Sequence, residues 1–214
     1  MSRLDCQYTR RHYDGHRLLL SDVLSDPIEQ FIAWYRTVEQ TGYPDLNAMV
    51  LSTVDEHDCP DSRVVLLKEI DEVGFVFYTN YDSEKAQQLQ HQPQAALNFY
   101  WPTLTRQVRI RGQVTRISAM RSAAYFASRD RASQLAVYAS QQSKVTTETE
   151  LDIRLGEVTM QFANHTIPCP AFWGGYCVEP FSIEFFQGQA GRLHDRIRYQ
   201  KQANGNWLLE RLNP

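Results

Sequence analysis

Cysteine is scarce in this chain, and what there is lies scattered. Cys6, Cys59, Cys169 and Cys177 form no Cys-x-x-Cys pair, and no histidine stands at zinc-finger spacing from them. Structural zinc is therefore not expected, and the four residues read as reduced thiols of a cytoplasmic protein. The histidines, at 12, 16, 57, 91, 165 and 194, show no His-Glu-x-x-His spacing, so neither a metalloenzyme nor a hydrolase finds support. No apolar run approaches the ~20 residues of a membrane helix. Met1 to Arg11 carries charges but no apolar stretch, so no signal peptide is expected. Positive charge is not in excess: the net charge is -3, which argues against a general nucleic-acid binder. No strand-like run leads into Gly-x-Gly-x-x-Gly, and there is no P-loop, internal repeat or low-complexity tract. A dinucleotide-binding βαβ unit is thereby disfavoured.

The composition that remains is ordinary for a globular protein, with 43% apolar and 22% charged residues in a chain of 214. A chain of this length buries roughly 70% of its unfolded surface, enough to fold without a disulfide or a metal. Residues 1–25 are polar and irregular, and read as an N-terminal flap segment; 26–214 read as one domain. Helical additions are expected at about 26–42 and 118–162. In the first, Asp26 is a good N-cap, Pro27 suits the first position, and Ile28, Phe31, Ile32, Tyr35 and Val38 share a face; Gly42 is a plausible stop. Strands are expected at Asn47–Val54, Ser62–Ile70, Phe75–Thr79, Ala95–Trp101 and Thr105–Ile117, with a hairpin turn at Asp71–Gly74. The run Val64-Val65-Leu66-Leu67 suits a strand buried on both faces. Ser83 could cap a short helix that Pro93 ends. Ser118 to about Tyr138 reads as helix, with a break near Asp130, and another helix runs to about Phe162. Three more strands follow, at 176–187, 192–200 and 206–211. The fold class is mainly β with helices (α+β): an antiparallel barrel with a smaller helical subdomain.

Three groups of residues could carry chemistry. On a strand over 192–200, Arg192, His194 and Arg196 project from one face, roughly 6–7 Å apart. Two guanidiniums flanking an imidazole could hold an anionic or planar ligand and exchange a proton near neutral pH; a solvated face paired with Asp195 or Glu184 fits the spacing as well. Tyr125, Arg129 and Ser133 are four residues apart, so an unbroken helix would align them as donors to a phosphate, or as a plain polar face. Arg63 and Lys68 bracket the apolar strand, and Lys85 stands near a helix N-terminus, where an anion is favoured.

Several segments, in order, resemble the pyridoxamine/pyridoxine 5'-phosphate oxidase family from about Arg10 to the end. They are Arg10-Arg11-His12-Tyr13, Ser62-Arg63-Val64-Val65-Leu66-Leu67-Lys68, Phe77-Tyr78-Thr79-Asn80, Arg106-Gln107-Val108, Ser140-Gln141-Gln142-Ser143, Phe172-Trp173-Gly174-Gly175, Ile183-Glu184-Phe185 and Arg192-Leu193-His194-Asp195-Arg196. The resemblance implies an FMN-binding split β-barrel, a homodimer with FMN at the subunit interface, and a small-molecule substrate. It implies oxidation of pyridoxamine or pyridoxine 5'-phosphate by dioxygen to pyridoxal 5'-phosphate and hydrogen peroxide, through hydride transfer from substrate C4' to flavin N5. Arg63 and Lys85 would contact the FMN phosphate, near Tyr78 and Thr79. The Val64, Val65, Leu66, Leu67 and Lys68 stretch would line the cofactor, and Gln107, Gln142, Ser143 and Arg196 would hydrogen-bond the rest of it. Lys68, Tyr125, Arg129 and Ser133 would grip the substrate phosphate. Arg192 and His194 would sit over the substrate ring as the catalytic pair, His194 assisting proton removal. Arg10, Arg11 and Tyr13 would close as a flap on the substrate.

Two positions depart from the family pattern. Glu84 stands where a second basic residue commonly faces the FMN phosphate, and Phe186 where a tryptophan commonly packs on the flavin. Both point to weaker FMN binding, and they are the features that favour an alternative, a non-catalytic flavin- or pyridoxal-phosphate-binding protein. A related flavoenzyme such as a phenazine-pathway oxidase should lack part of the phosphate clamp, which this chain retains. Replacing Glu84 by Arg is expected to tighten FMN binding in a fluorescence titration. Unchanged or weaker affinity would show that Glu84 does not face the phosphate.

Overall fold

The computed structural model describes Tyr13 and residues 15–214. The residues fall into two compact units. The first draws on the chain up to Leu46, on Asn98–Ile110 and on Ser182–Pro214; the second comprises Asn47–Leu97 and Arg111–Phe181.

In the first unit, helix α1 spans Pro27–Glu39. The Asp26 carboxylate accepts from the Ile28 and Glu29 N–H groups at 2.7 and 3.0 Å, so the expected cap is in place. Gly42 takes a positive φ of 66° just beyond the helix, where a side chain would be strained. The helix buries Phe31, Trp34 and Val38. Phe31 meets Phe99 edge-on at 4.9 Å, Trp34 meets Phe185 at 5.1 Å, and Phe185 meets Tyr199 at 5.6 Å. These aromatic contacts form the core of the unit.

The second unit contains strands β1 (Ala48–Val54), β2 (Pro60–Leu66), β3 (Glu69–Ile70) and β4 (Phe75–Asn80), and helices α2 (Glu84–His91), α3 (Ala119–Ser128), α4 (Arg131–Ala139) and α5 (Glu148–Gln161). Asp71 closes the expected hairpin by accepting from the Val73 and Gly74 N–H groups. Phe126, Leu135, Phe162, Ile167 and Trp173 make its buried helical cluster. Strands β5 (Gln94–Trp101), β6 (Arg106–Arg116) and β7 (Trp173–Gln187) contribute residues to both units. With β8 (Asp195–Lys201) and β9 (Trp207–Leu212) they complete a nine-stranded sheet of order β2-β1-β5-β6-β7-β4-β3, in which β8 pairs with β7 and β9 with β8. The pairs β1–β2, β3–β4, β4–β7, β7–β8 and β8–β9 are antiparallel. The fold is α+β and strand-rich, as the sequence implies. No described helix is long and apolar enough to cross a membrane.

Two expectations are corrected, and the helix break expected near Asp130 is found. The run Ser62–Ile70 is not one strand buried on both faces. It divides at Leu67–Lys68, where the backbone partner changes: the Leu67 N–H donates to Asn47 O, the Lys68 N–H to Val76 O. Strand β2 ends the sheet order, and Val64 and Leu66 are 66% and 41% exposed. The helix over 118–138 is broken, because Arg129 and Asp130 are extended and Asp130 caps α4 through the Ser133 N–H. The last strand group begins at Asp195, not 192: Gly191 and Arg192 have φ of 63° and 61° in a tight turn. Arg192, His194 and Arg196 therefore do not share one strand face.

Asp195 explains where that strand starts. It is fully buried. Its carboxylate accepts from the Leu18 N–H at 2.9 Å and from Arg17 Nε at 3.0 Å, and pairs with Arg211 as well. Burial alone would raise the carboxyl pKa, but the Leu18 N–H, Arg211 and Arg17 hold it below the usual carboxylate range. A carboxyl whose folded pKa is depressed stabilises the fold above its unfolded pKa, about 3.9, and loses that contribution as pH falls through the folded value. Asp195→Asn is expected to cost about 2–3 kcal/mol at pH 7 by leaving two guanidiniums unpaired. Denaturant unfolding should show the gap from the parent chain narrowing toward pH 3.

Candidate functional site

The second unit contains an open cavity of about 690 Å³. Its walls come from β2, β4, the start of α2, the α3–α4 break, the loop ahead of α5 and Trp173. Residues far apart in sequence meet here, including most of those expected to bind phosphate groups.

At one end lie Arg63, Glu84, Lys85 and Ser143. Lys85 sits in the first turn of α2 and is buried. Burial, then the neighbouring Arg63 charge, push its amine below the usual lysine range. Arg63 is ion-paired with Asp61 and donates to Thr53 Oγ1 at 2.5 Å and to Gln88 Oε1 at 3.0 Å. Ser143 has a positive φ of 70° and accepts from the Glu84 N–H at 3.3 Å. Gln142 Oε1 accepts from Thr79 Oγ1 at 3.3 Å and from the Asn80 N–H at 3.4 Å. Val64, Val65 and Leu66 line the wall, whereas Leu67 turns into the core. The Leu67 N–H and C=O are both taken by Asn47, so Leu67 does not line the cavity; nor do Gln107, Phe186 and Arg196, which belong to the first unit.

Toward the helices, Tyr78, Tyr125 and Trp173 stack, with ring centroids 4.0 Å apart for Tyr78–Tyr125 and 5.4 Å for Tyr78–Trp173. Burial raises the Tyr78 hydroxyl pKa, so that group stays a neutral donor. The Arg129 guanidinium lies 5.0 Å over the Trp173 ring, and its Nη1 is buried with no hydrogen-bond partner among the described residues. Lys68 and Ser133 line the same cavity. Ser133 donates its hydroxyl to Asp130 Oδ2 at 2.7 Å. The helix break thus does not scatter Tyr125, Arg129 and Ser133: Tyr125 comes from α3, Arg129 from the junction, and Ser133 from the first turn of α4.

Asp61, Asn80 and Trp173 also line the cavity without having been singled out by sequence. Trp173 had a signal in the Trp173-Gly174-Gly175 run. A Cβ on Gly174 would come within 2.2 Å of the Tyr81 hydroxyl, so the chain after Trp173 packs too closely for a side chain. Asp61 had none, because it reads as one more polar residue of a turn.

The first unit holds a second group. His194 Nδ1 accepts from the Gln189 N–H at 3.0 Å. The ring meets Tyr13 edge-on at 5.1 Å and Phe186 at 4.8 Å. Partial burial, then the Arg192 charge, lower the His194 pKa. Arg192 itself is exposed. Arg196 pairs with Glu184 at 2.8 Å and donates to Asn213 O at 3.0 Å, while Glu184 also meets Arg109 at 3.4 Å. Gln107 donates to Asn98 Oδ1 at 2.5 Å. Arg10 and Arg11 lie outside the described residues.

The family model described as pyridoxamine 5'-phosphate oxidase matches residues 37–162, and that of the pyridoxine 5'-phosphate oxidase C-terminal dimerisation region matches residues 173–214. A pyridoxine/pyridoxamine 5'-phosphate oxidase of Acaryochloris marina is 47% identical over 96% of this chain and 94% of its own length. One from Vibrio cholerae is 43% identical over 99% of this chain and 100% of its own. Among solved structures, PhzG of Burkholderia lata, in complex with tetrahydrophenazine-1-carboxylic acid, superposes with a TM-score of 0.87 at 26% identity over 94% of this chain and all of that one. A pyridoxamine 5'-phosphate oxidase-related FMN-binding protein of Nostoc punctiforme shares the fold, with a TM-score of 0.72 at 19% identity over 88% of this chain and 98% of that one. The fold is that of the split-barrel class of oxidoreductases. The chain belongs to the pyridoxine/pyridoxamine 5'-phosphate oxidase family.

Proposed function

We propose that the chain is an FMN-dependent oxidase. It converts pyridoxamine or pyridoxine 5'-phosphate with dioxygen to pyridoxal 5'-phosphate and hydrogen peroxide, and works as a cytoplasmic homodimer with FMN between the subunits. The observation that carries this reading is Arg129 Nη1, a buried guanidinium nitrogen without an acceptor among the described residues, on a side chain that lines a cavity together with Lys68, Tyr125 and Ser133. A buried cationic donor left without a partner is costly, and a phosphate oxygen would satisfy it.

The other end of the cavity fits the cofactor phosphate. Lys85 is buried and has no ion-pair partner among the described residues, and Ser143 stands at the start of α2, where an anion is favoured. Arg63 and Lys85 would hold that phosphate, with Thr79, Gln142 and Ser143 as neighbouring polar groups. Tyr78 and the Val64-Val65-Leu66 wall would exclude water. Gln107, Phe186 and Arg196 of the first unit would contact the flavin, and Arg192 and His194 the substrate ring. Tyr13 would belong to a flap formed by residues 1–25. When bound, FMN supplies the hydride acceptor and the route to dioxygen.

The chain's own part is to orient the substrate. Gripping the phosphate at Lys68, Tyr125, Arg129 and Ser133 fixes one end of it, which converts the reaction to one between held partners. His194 enters as a donor. Because its Nδ1 accepts from the Gln189 N–H, the proton of the neutral ring sits on Nε2, and the lowered pKa keeps the ring neutral. This sharpens the expectation from sequence: Nε2–H can orient a substrate oxygen or nitrogen, and does not act as a base.

A phenazine-type substrate, such as the ligand in the PhzG complex, does not account for a complete phosphate clamp. The direct test is oxygen consumption by purified protein supplied with FMN and pyridoxamine 5'-phosphate. Turnover with peroxide release is expected; protein that binds pyridoxal phosphate yet shows no turnover with added FMN overturns the proposal in favour of a non-catalytic binder. Within the enzyme, Arg129→Ala should raise KM for the phosphorylated substrate by about 10- to 150-fold, the equivalent of a buried charge-assisted hydrogen bond of about 1.5–3 kcal/mol. An unchanged KM would remove Arg129 from the clamp.

A further inference from the structure

We propose that Asp61 is an internal rival of the cofactor phosphate for Arg63, so that this chain discriminates FMN from unphosphorylated riboflavin less sharply than its cations alone would allow. The inference rests on the flavin reading above and concerns one end of the same cavity.

Asp61 and Arg63 are two residues apart on β2 and so project to the same side of the strand. The Asp61 carboxylate pairs with Arg63 Nη2 and accepts from Gln88 Nε2 at 3.1 Å. Gln88 Oε1 in turn accepts from Arg63 Nη2 at 3.0 Å, and Thr53 Oγ1 accepts from Arg63 Nη1 at 2.5 Å. Both terminal nitrogens of Arg63 are thus committed to protein acceptors. Lys85, the second cation at this end, makes no such pair among the described residues. The two cations are matched by two carboxylates lining the same cavity, Asp61 and Glu84.

A phosphate arriving here has two courses. It can draw Arg63 away from Asp61 and leave that carboxylate without its cation, or it can settle beside the intact pair and meet a guanidinium whose charge is already answered. Either course reduces what the phosphate gains. The Gln88 amide, and then Arg63, hold the Asp61 carboxyl below the usual carboxylate range, so it does not neutralise itself near pH 7. With 41% of its side chain exposed, Asp61 can lose its charge by substitution without leaving a buried hole.

The experiment is a titration of cofactor-free protein with FMN and, separately, with riboflavin, followed by quenching of flavin fluorescence. Asp61→Asn is expected to lower Kd for FMN by about three- to tenfold, the range between an exposed ion pair and a charge-assisted hydrogen bond. Kd for riboflavin should move less than about twofold, since it has no phosphate to feel the change. Asp61→Ser should shift in the same direction, which guards against a fault of folding in either variant. An FMN affinity that is unchanged or weakened in both overturns the proposal and makes Asp61 a support for Arg63. A gain that persists in full when Arg63 is also replaced by Met would overturn the rivalry too, leaving simple repulsion. If neither the parent nor the variants bind either flavin, it is the flavin reading that fails.

Discussion

A carboxylate sealed from water must be answered by donors, and in the first unit that requirement places the residues that matter most. Asp195 is fully buried and draws on Arg17, Arg211 and the Leu18 N–H. One side chain thereby binds the segment ahead of α1 and strand β9 to the first residue of β8. His194 and Arg196 flank Asp195, so their positions follow from where its carboxylate is anchored. Glu184 repeats the device one strand away, holding Arg196 and Arg109. In each case the acid is the more buried partner and the arginine reaches outward. An arginine held this way is pre-oriented, and a ligand need not bear the cost of ordering it.

The second unit uses carboxylates differently. Asp61 and Asp130 lie at or beside the cavity, and each holds a group that the proposed ligands would want: Arg63 in one case, the Ser133 hydroxyl in the other. Arg129 is the contrast. It has cation–π support from Trp173 at 5.0 Å and Phe126 at 5.9 Å, yet its Nη1 has no acceptor among the described residues. Aromatic faces stabilise the charge without saturating the donors. The Arg129 end of the cavity thus offers an open demand for an anion, while the Arg63 end is already partly answered.

Much of the fold was legible in the sequence because it follows from local rules. The Asp26-Pro27 start of α1, the Asp71–Gly74 hairpin and the alternation of Val108, Ile110 and Val114 in β6 all depend on residues close in sequence. What escaped depends on distant partners. The Val64–Leu67 run looks like a buried strand by composition, but β2 ends the sheet and turns Val64 and Leu66 toward the cavity. The break at Arg129–Asp130, by contrast, was legible, because the capping carboxylate of Asp130 that ends it acts locally. The positive φ at Arg192 is hidden, since nothing about arginine signals a left-handed residue. The candidate site residues came from the family's segments and from the four-residue spacing of Tyr125, Arg129 and Ser133. Asp61, which belongs to none of them, was found only when the fold brought Gln88 and Thr53 to Arg63.

The position of the His194 proton bears on how the reaction gains its rate. An imidazole whose Nδ1 is engaged by a backbone N–H, and whose charge is disfavoured by burial and by Arg192, has little basicity to offer at the substrate. In the proposed clamp Arg129 offers no base, since arginine stays protonated, and the neighbouring Tyr78 hydroxyl is pushed further from ionisation. The carboxylates that line the cavity, Asp61 and Glu84, lie at its other end with Arg63 and Lys85. Donors can hold a phosphate, orient a ring and balance charge, but they do not remove a proton. Under the proposed function, catalysis would come from alignment of two held reactants, a contribution of about 7–11 kcal/mol in well-oriented cases. Alignment needs anchored side chains, and the buried Asp195 and the Tyr78–Tyr125–Trp173 stack are the features that would anchor them.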